Sequence, residues 1–179
     1  MKTGNHKQHV ILRAFTGDDL AVLDRFATDA EVTGAFGWAG FADPHLRRRR
    51  FAADGLLGEA SGALAVVIDD EVAGMVTWEA ADRGGPSGGC YEVGAVLLPG
   101  HHGHETRAEA HRRLVDYLFQ VTRAHRLQAF ADAENLAAQQ VLETTGFHRE
   151  GLLCQVTWRE GAYRDAVVYG LLRSEAQPQ

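Results

Sequence analysis

Glu92 sits inside the strand-like run Cys90-Tyr-Glu-Val-Gly-Ala-Val-Leu97, from which a carboxylate can work on a substrate lying across a sheet. It can take a proton from an amine directly or through water, the task of a general base in amide formation, more readily if partly buried. Backbone N–H groups near Gly94 to Val96 could polarise a carbonyl beside it. Tyr163 offers a phenol that could act as an acid or simply pack. Just downstream of the run lies Leu98-Pro-Gly-His-His-Gly-His-Glu-Thr-Arg-Ala-Glu-Ala-His111, leading into a helical pattern. A helix start there offers free N–H groups and a partial positive charge, the chemistry that holds a phosphate. His101, His102, His104 and His111 invite a metal reading, but most lie in a loop without a converging ligand pattern, and no metal is expected. Arg47-Arg-Arg-Arg50 spans about 300° of a helix and cannot form one stripe. A solvated or salt-bridged face is expected, or, with Arg107, Arg112 and Arg113, part of a basic patch.

These residues need a scaffold, and the patterning supplies one. Val10 to Leu12 is a first short strand. Thr16-Gly-Asp-Asp19 resembles a capping box, with Asp in place of Glu or Gln, opening a helix with Leu20, Leu23 and Phe26 on one face. Ala30 to Trp38 is a short helix or turn. Asp43-Pro44 starts another helix, to about Leu57. Leu64–Ile68 and Val72–Trp78 flank Asp69-Asp-Glu71 as a hairpin. Arg83 to Gly89 is a Gly/Pro/Ser loop. Cys90 to Leu98 is a strand in which Gly94 suggests a bulge or a close backbone approach. A helix from about Glu105 to Ala124 turns Leu114, Tyr117, Leu118 and Val121 inward. Leu127–Ala131 is a strand, Leu136–Thr145 a helix stopped by Gly146. Val156–Trp158 and Ala166–Leu172 form a second hairpin.

The 179 residues suit one domain, and 45% hydrophobic with 23% charged residues is ordinary for a soluble globular chain. A net charge of −6 argues against a generic nucleic-acid coat. Cys90 and Cys154 are far apart and fit small buried side chains in a reducing compartment. No apolar run approaches the roughly 18 residues of a membrane span, and Met1 to Gln8 lacks a signal-peptide core. A cytoplasmic protein without membrane contact is expected, with residues 1–8 and 174–179 as flexible termini.

Several local stretches resemble the GNAT acyltransferase family. Asp132-Ala-Glu-Asn-Leu-Ala-Ala-Gln-Gln-Val-Leu-Glu-Thr-Thr-Gly-Phe147 is similar to its "D-x-x-N-x-x-S … L-E-K-x-G-F" segment, with Ala138 in place of the serine. His148-Arg-Glu-Gly-Leu-Leu153, Gly161-Ala-Tyr-Arg-Asp165 and Tyr169 resemble the closing hairpin of the RimJ/RimL-like branch, and Tyr91-Glu-Val-Gly94 its central-strand motif. The likeness covers about residues 9–173. It implies an α+β (mixed α/β) fold, a single domain whose mixed, mostly antiparallel sheet of about seven strands is splayed between the fourth and fifth and flanked by helices.

The activity it implies is acyl transfer, most simply of acetyl, from a CoA thioester to a primary amine of a small molecule or a peptide N-terminus. Val96, Leu97 and Leu98 would then lie along the donor, with Asn135 at its pantetheine arm. The family's diphosphate pattern Q/R-x-x-G-x-G/A matches His102-Gly103-His104-Glu105-Thr106-Arg107, so two glycine positions are Glu105 and Arg107. A carboxylate about 4 Å from a diphosphate costs about 1 kcal/mol in water and about 4 at intermediate dielectric. Arg107 and the histidines could compensate, or Glu105 could simply favour the helix start. The altered loop leaves two alternatives: a GNAT-fold transferase using aminoacyl-tRNA as donor, and a non-catalytic ligand-binding module. Phe36 and Trp38, with Phe41, could line the acceptor site or belong to the core. Either a monomer or a homodimer is compatible.

Overall fold

The computed structural model describes residues 9–37, 40–58, 60–81, 89–101 and 103–176. Thr16 N–H and hydroxyl donate to the Asp19 carboxylate at 2.8 and 3.0 Å, as the capping pattern predicts. A 3-10 turn, Gly17–Asp19, leads into α1, Leu20–Thr28. Leu23 and Phe26 of α1 are buried. The next helix, α2, Ala30–Gly37, is kinked at Gly34, whose φ is 66°. Asp43 caps α3, Pro44–Asp54, accepting from His45 N–H at 2.9 Å. This helix stops short of Leu57 because Gly55 takes a left-handed C-cap (φ 65°).

The strands are β1 (Ile11–Arg13), β2 (Ser61–Ile68), β3 (Glu71–Ala80), β4 (Cys90–Leu97), β5 (Arg126–Asp132), β6 (His148–Arg159) and β7 (Ala162–Leu172). They form one seven-stranded sheet in the order β1-β2-β3-β4-β5-β7-β6. All neighbours are antiparallel except β4 and β5. Both hairpins turn on two positive-φ residues, Asp69-Asp70 and Glu160-Gly161, the geometry that matches strand twist. Three further helices complete the chain: α4, His104–Val121; α5, Leu136–Thr144; and α6, Arg173–Ala176.

Alternation along the strands feeds two cores. Leu64, Val66 and Ile68 of β2 face α4, packing with its Leu114 and Leu118. Ala65 and Val67 join Leu23, Phe26 and Val32 on the opposite face. Among the described residues no helix is long and apolar enough to cross a membrane.

Several expectations need correcting. Val121 is exposed, because α4 has run past the sheet edge by its last turn. Cys154 is exposed on β6, while Cys90 is buried. Residues 174–176 belong to α6, pinned where Leu172 N–H donates to Glu175. Gly94 marks no bulge: the β3–β4 register runs unbroken from Gly74↔Leu97 to Ala80↔Tyr91. The register shifts fall in β2, at Val66/Val67, and in β6 instead. Residues 1–8, 82–88 and 177–179, including most of the Gly/Pro/Ser loop, lie outside the described residues.

Asp19 also holds Arg13, at 2.6 and 3.0 Å, and is only 6% exposed. Chiefly through the Arg13 hydrogen bond, its carboxyl is drawn down from 3.8 to about 2. A depressed carboxyl stabilises the fold above its unfolded pKa and loses that contribution as pH falls through its folded one. Asp19→Asn is therefore expected to cost about 2 kcal/mol in urea unfolding at pH 7. The deficit should shrink as pH drops from about 4 towards 2; an unchanged deficit at pH 2 would refute the assignment.

Candidate active site

The parallel ladder between β4 and β5 spans three pairs only, Cys90↔Arg126 to Glu92↔Gln128. Beyond Glu92 the strands part. Each is held by its outer neighbour over seven pairs, β4 by β3 and β5 by β7. The opening is a cleft of about 570 Å³, walled by α2, β4 from Val93 to Leu97, the end of β5 and the start of α5, with Arg107 and His111 of α4 below. On the β5 side, residues 93–96 of β4 have no ladder partner among the described residues, so peptide groups there are available to a ligand.

A second cavity, of about 310 Å³, lies beside it between α1, α3 and the β2–β3–β4 face. Thr77, Val93 and Gly94 line both cavities. Thr77 and Gly94 are cross-strand partners, and a Cβ on Gly94 would stand 3.3 Å from Thr77 Oγ1. The two spaces thus meet where a side chain is missing. Glu92, two residues along the same strand face, lines the second cavity. It is exposed rather than partly buried. Directly opposite it stands Glu79.

At the foot of the cleft, Pro99-Gly100 turns the chain, with His101 N–H donating to Leu98 carbonyl at 3.0 Å. Gly103 caps α4 without a side-chain bond. Glu105, at the start of α4, is exposed and does not line the cleft. Arg107 does line it, half-buried, its Nε without a hydrogen-bond partner. One turn on, His111 lines the cleft too, 5% exposed, with Nδ1 unpartnered and its ring edge-on to Phe147. Burial, and secondarily the Arg107 charge, lower its pKa to about 4.

Val96 and Leu97 line the cleft. Leu98 does not: it is buried among Leu23 and Phe26, and its N–H is taken by Ala73 carbonyl at 2.8 Å. Gly103 and His104 are exposed, and Thr106 is buried; none of the three lines the cleft. Asn135 lines the cleft and caps α5 through a bond from Ala138 N–H at 3.1 Å. Phe36 is on the cleft wall, not in the Glu92 cavity. Tyr163 is in neither; it is 61% exposed and packs edge-on against Trp158, because the second hairpin projects outward. Tyr169 is fully buried, its hydroxyl 3.0 Å from Glu143. Trp38 and His102 lie outside the described residues. Among the described residues no group of three or more His, Cys, Asp or Glu converges as a metal site.

Arg159 fixes the cleft mouth. It pairs with Asp132 at 3.0 Å and Glu134 at 2.7 Å, and its guanidinium lies 4.8 Å from the Phe36 ring centroid. The end of β6, the end of β5 and α2 are thereby tied together. Arg159, Thr77 and Glu79 were not singled out in the sequence, and Arg47 only as one of the four-arginine run. Period-two alternation from Met75 marks Thr77 and Glu79 as one face, and Arg47 lies one turn before the inward Phe51.

Residues 9–148 match the family model described as acetyltransferase (GNAT) domain. The chain is 28% identical over 174 residues to the "uncharacterized N-acetyltransferase p20" of Bacillus licheniformis, covering 95% of this chain and 96% of that one. Its fold is similar to spermidine N-acetyltransferase from Vibrio cholerae in complex with CoA and spermine (TM-score 0.80, 20% identity, 93% and 97% covered). It is also similar to Mycobacterium smegmatis RimJ in complex with CoA-disulfide (TM-score 0.76, 23% identity, 95% and 84% covered).

A histidine whose folded pKa is depressed adds stability above about 6.5 that disappears as pH falls to about 4. His111 alone should cost the protein about 3 kcal/mol across that window. Unfolding titrations at pH 7 and 4 should show this loss in the parent and not in His111→Leu; equal acid sensitivity would disprove it.

Proposed function

Because the chain belongs to the GNAT acetyltransferase domain family, we propose that it moves an acyl group, most simply acetyl, from a CoA thioester to a primary amine. One observation carries this reading: an elongated cleft and a polar cavity meet at Thr77 and Gly94, with the Glu92 carboxylate beside the junction. The cleft suits a long polar donor. Its β4 wall has peptide groups at 93–96 without a β5 partner, and its base holds Arg107, whose Nε has no hydrogen-bond partner among the described residues, and the buried His111 Nδ1. Both solved relatives described above contain CoA, which supports the same donor here.

CoA, when bound, supplies an acyl carbonyl activated as a thioester. The residues of this chain do the rest. Free peptide N–H groups of β4 point donors at the carbonyl oxygen as charge gathers on it. An amine entering from the second cavity would bond through nitrogen to the carbonyl carbon as the carbon–sulfur bond breaks, the sulfur leaving as CoA thiolate and taking a proton from water. Glu92 accepts the proton shed by the nitrogen, directly or through water; its exposure favours the water-mediated route. Arg107 holds the anionic end of the donor in place of the glycine backbone of related loops. A guanidinium makes charge-assisted bonds to phosphate that a glycine cannot.

The tRNA-donor reading leaned on the arginine run. Three of its members are engaged elsewhere: Arg48 with Asp24, Arg49 with Asp43 at 3.1 Å, and Arg50 with Ser61 at 2.7 and 2.8 Å. No specific observation favours that reading over acyl-CoA.

Thiol release from acetyl-CoA with a panel of amines tests the proposal, alongside calorimetric CoA binding. Glu92→Gln is expected to lower kcat by about 10²-fold with CoA affinity intact. Arg107→Gly should weaken CoA binding about tenfold, and Glu105→Gly should leave it equal or slightly tighter. Absence of both CoA binding and turnover would remove the reading. Tighter binding by Arg107→Gly would make Arg107 an obstruction instead.

A further inference from the structure

Four consecutive arginines on one helix have four different fates, and one of them is unexplained by packing. Arg48, Arg49 and Arg50 each reach an oxygen partner on a side chain. Arg47 does not. Among the described residues it has no ion pair; its contacts are the Leu23 carbonyl at 3.4 Å and the Phe26 ring at 5.9 Å. It is half-buried, and desolvation pushes its guanidinium below the usual range. Removing a guanidinium from water without a carboxylate is costly, so a side chain left in that condition has a use for its charge.

That charge faces the same cavity as Glu92 and Glu79. The two carboxylates stand directly opposite each other on β4 and β3, an arrangement that neighbouring strands disfavour. Neither forms an ion pair with any described residue, Arg47 included. The cavity therefore presents separated, unneutralised charges of both signs on one wall set. Its volume of about 310 Å³ is at the small end for ligand sites.

Resting on the acyl-transfer reading above, we propose that the cavity takes an acceptor bearing a carboxylate as well as its amine, an amino-acid-type zwitterion. The carboxylate lies on the Arg47 fork, whose planar donors match it. The amine lies towards Glu92 and Glu79, with the reacting nitrogen at the Thr77–Gly94 junction. A polyamine, which offers cations only, leaves Arg47 unanswered and places like charge against it. A peptide amine without a nearby carboxylate does the same for the guanidinium.

Matched acceptors that differ only by the carboxyl group test this: lysine against cadaverine, and ornithine against putrescine. With acetyl-CoA as donor, kcat/KM should favour the amino acid of each pair by about tenfold or more. In Arg47→Met that preference should collapse, the loss appearing in KM rather than kcat, and Arg47→Lys should restore part of it. CoA affinity of each variant, measured separately, reports that the fold is kept. A parent enzyme that prefers cadaverine, or an Arg47→Met enzyme that keeps the parent's preference, overturns the proposal. Calorimetric titration of lysine and cadaverine into the protein without donor separates the two readings. Carboxylate-dependent binding that Arg47→Met abolishes supports this site even if no acyl-CoA turns over, in which case the transfer reading alone fails. CoA binding and turnover without any carboxylate preference fails this proposal alone.

Discussion

A parallel ladder that ends after three pairs is the constraint from which the rest of the architecture follows. Parallel pairing is slightly less favourable per residue than antiparallel, and here each inner strand is claimed by a longer antiparallel partner, β3 on one side and β7 on the other. Sheet twist then carries the strands apart. The gap between them cannot be filled by the chain's own backbone, because both strands are already satisfied on their outer edges. Helix α4 closes the gap from below with Leu114 and Leu118 in the core, leaving Arg107 and His111 where its first turns pass beneath the opening.

Separation of the sheet faces then assigns the roles. On β4, Val93 and Leu97 pack towards α4, while Glu92 and Gly94 belong to the alternate set of positions, across from Glu79 and Thr77. One face thus keeps an apolar floor and the other a polar cavity, and the two meet around Thr77, Val93 and Gly94. The Arg159 ion pairs with Asp132 and Glu134, and its contact with Phe36, hold the upper rim in register. The rim is assembled from segments more than a hundred residues apart in sequence.

The sequence made the local decisions legible because local chemistry makes them. Thr16 and Asp19, Asp43, Asn135 and Gly146 each mark a helix boundary that forms through their own side chain or φ value. The splayed pair came from family resemblance, and the strand order was not read at all, since no periodicity tells β5 to sit between β4 and β7. What stayed hidden were side-chain fates fixed by tertiary neighbours. Arg47 differs from Arg48 only in that α1 supplies Asp24 to the latter. Glu105 and Arg107 looked equally intrusive as text, yet two residues on a helix are about 200° apart, so one faces solvent and the other the cleft. Tyr163 looked reactive because nothing in the chain says that its hairpin leans away.

The half-paired β4 edge has a consequence for how the molecule breathes. Amides of residues 93–96 that point into the gap should exchange with deuterium far faster than those bonded to β3, making this the seam along which the sheet loosens first. An extended ligand laid along that edge would act as an eighth strand. Occupancy would then be felt as cohesion between the two halves of the sheet, and the folded state would gain by mass action from the very molecule it exists to process.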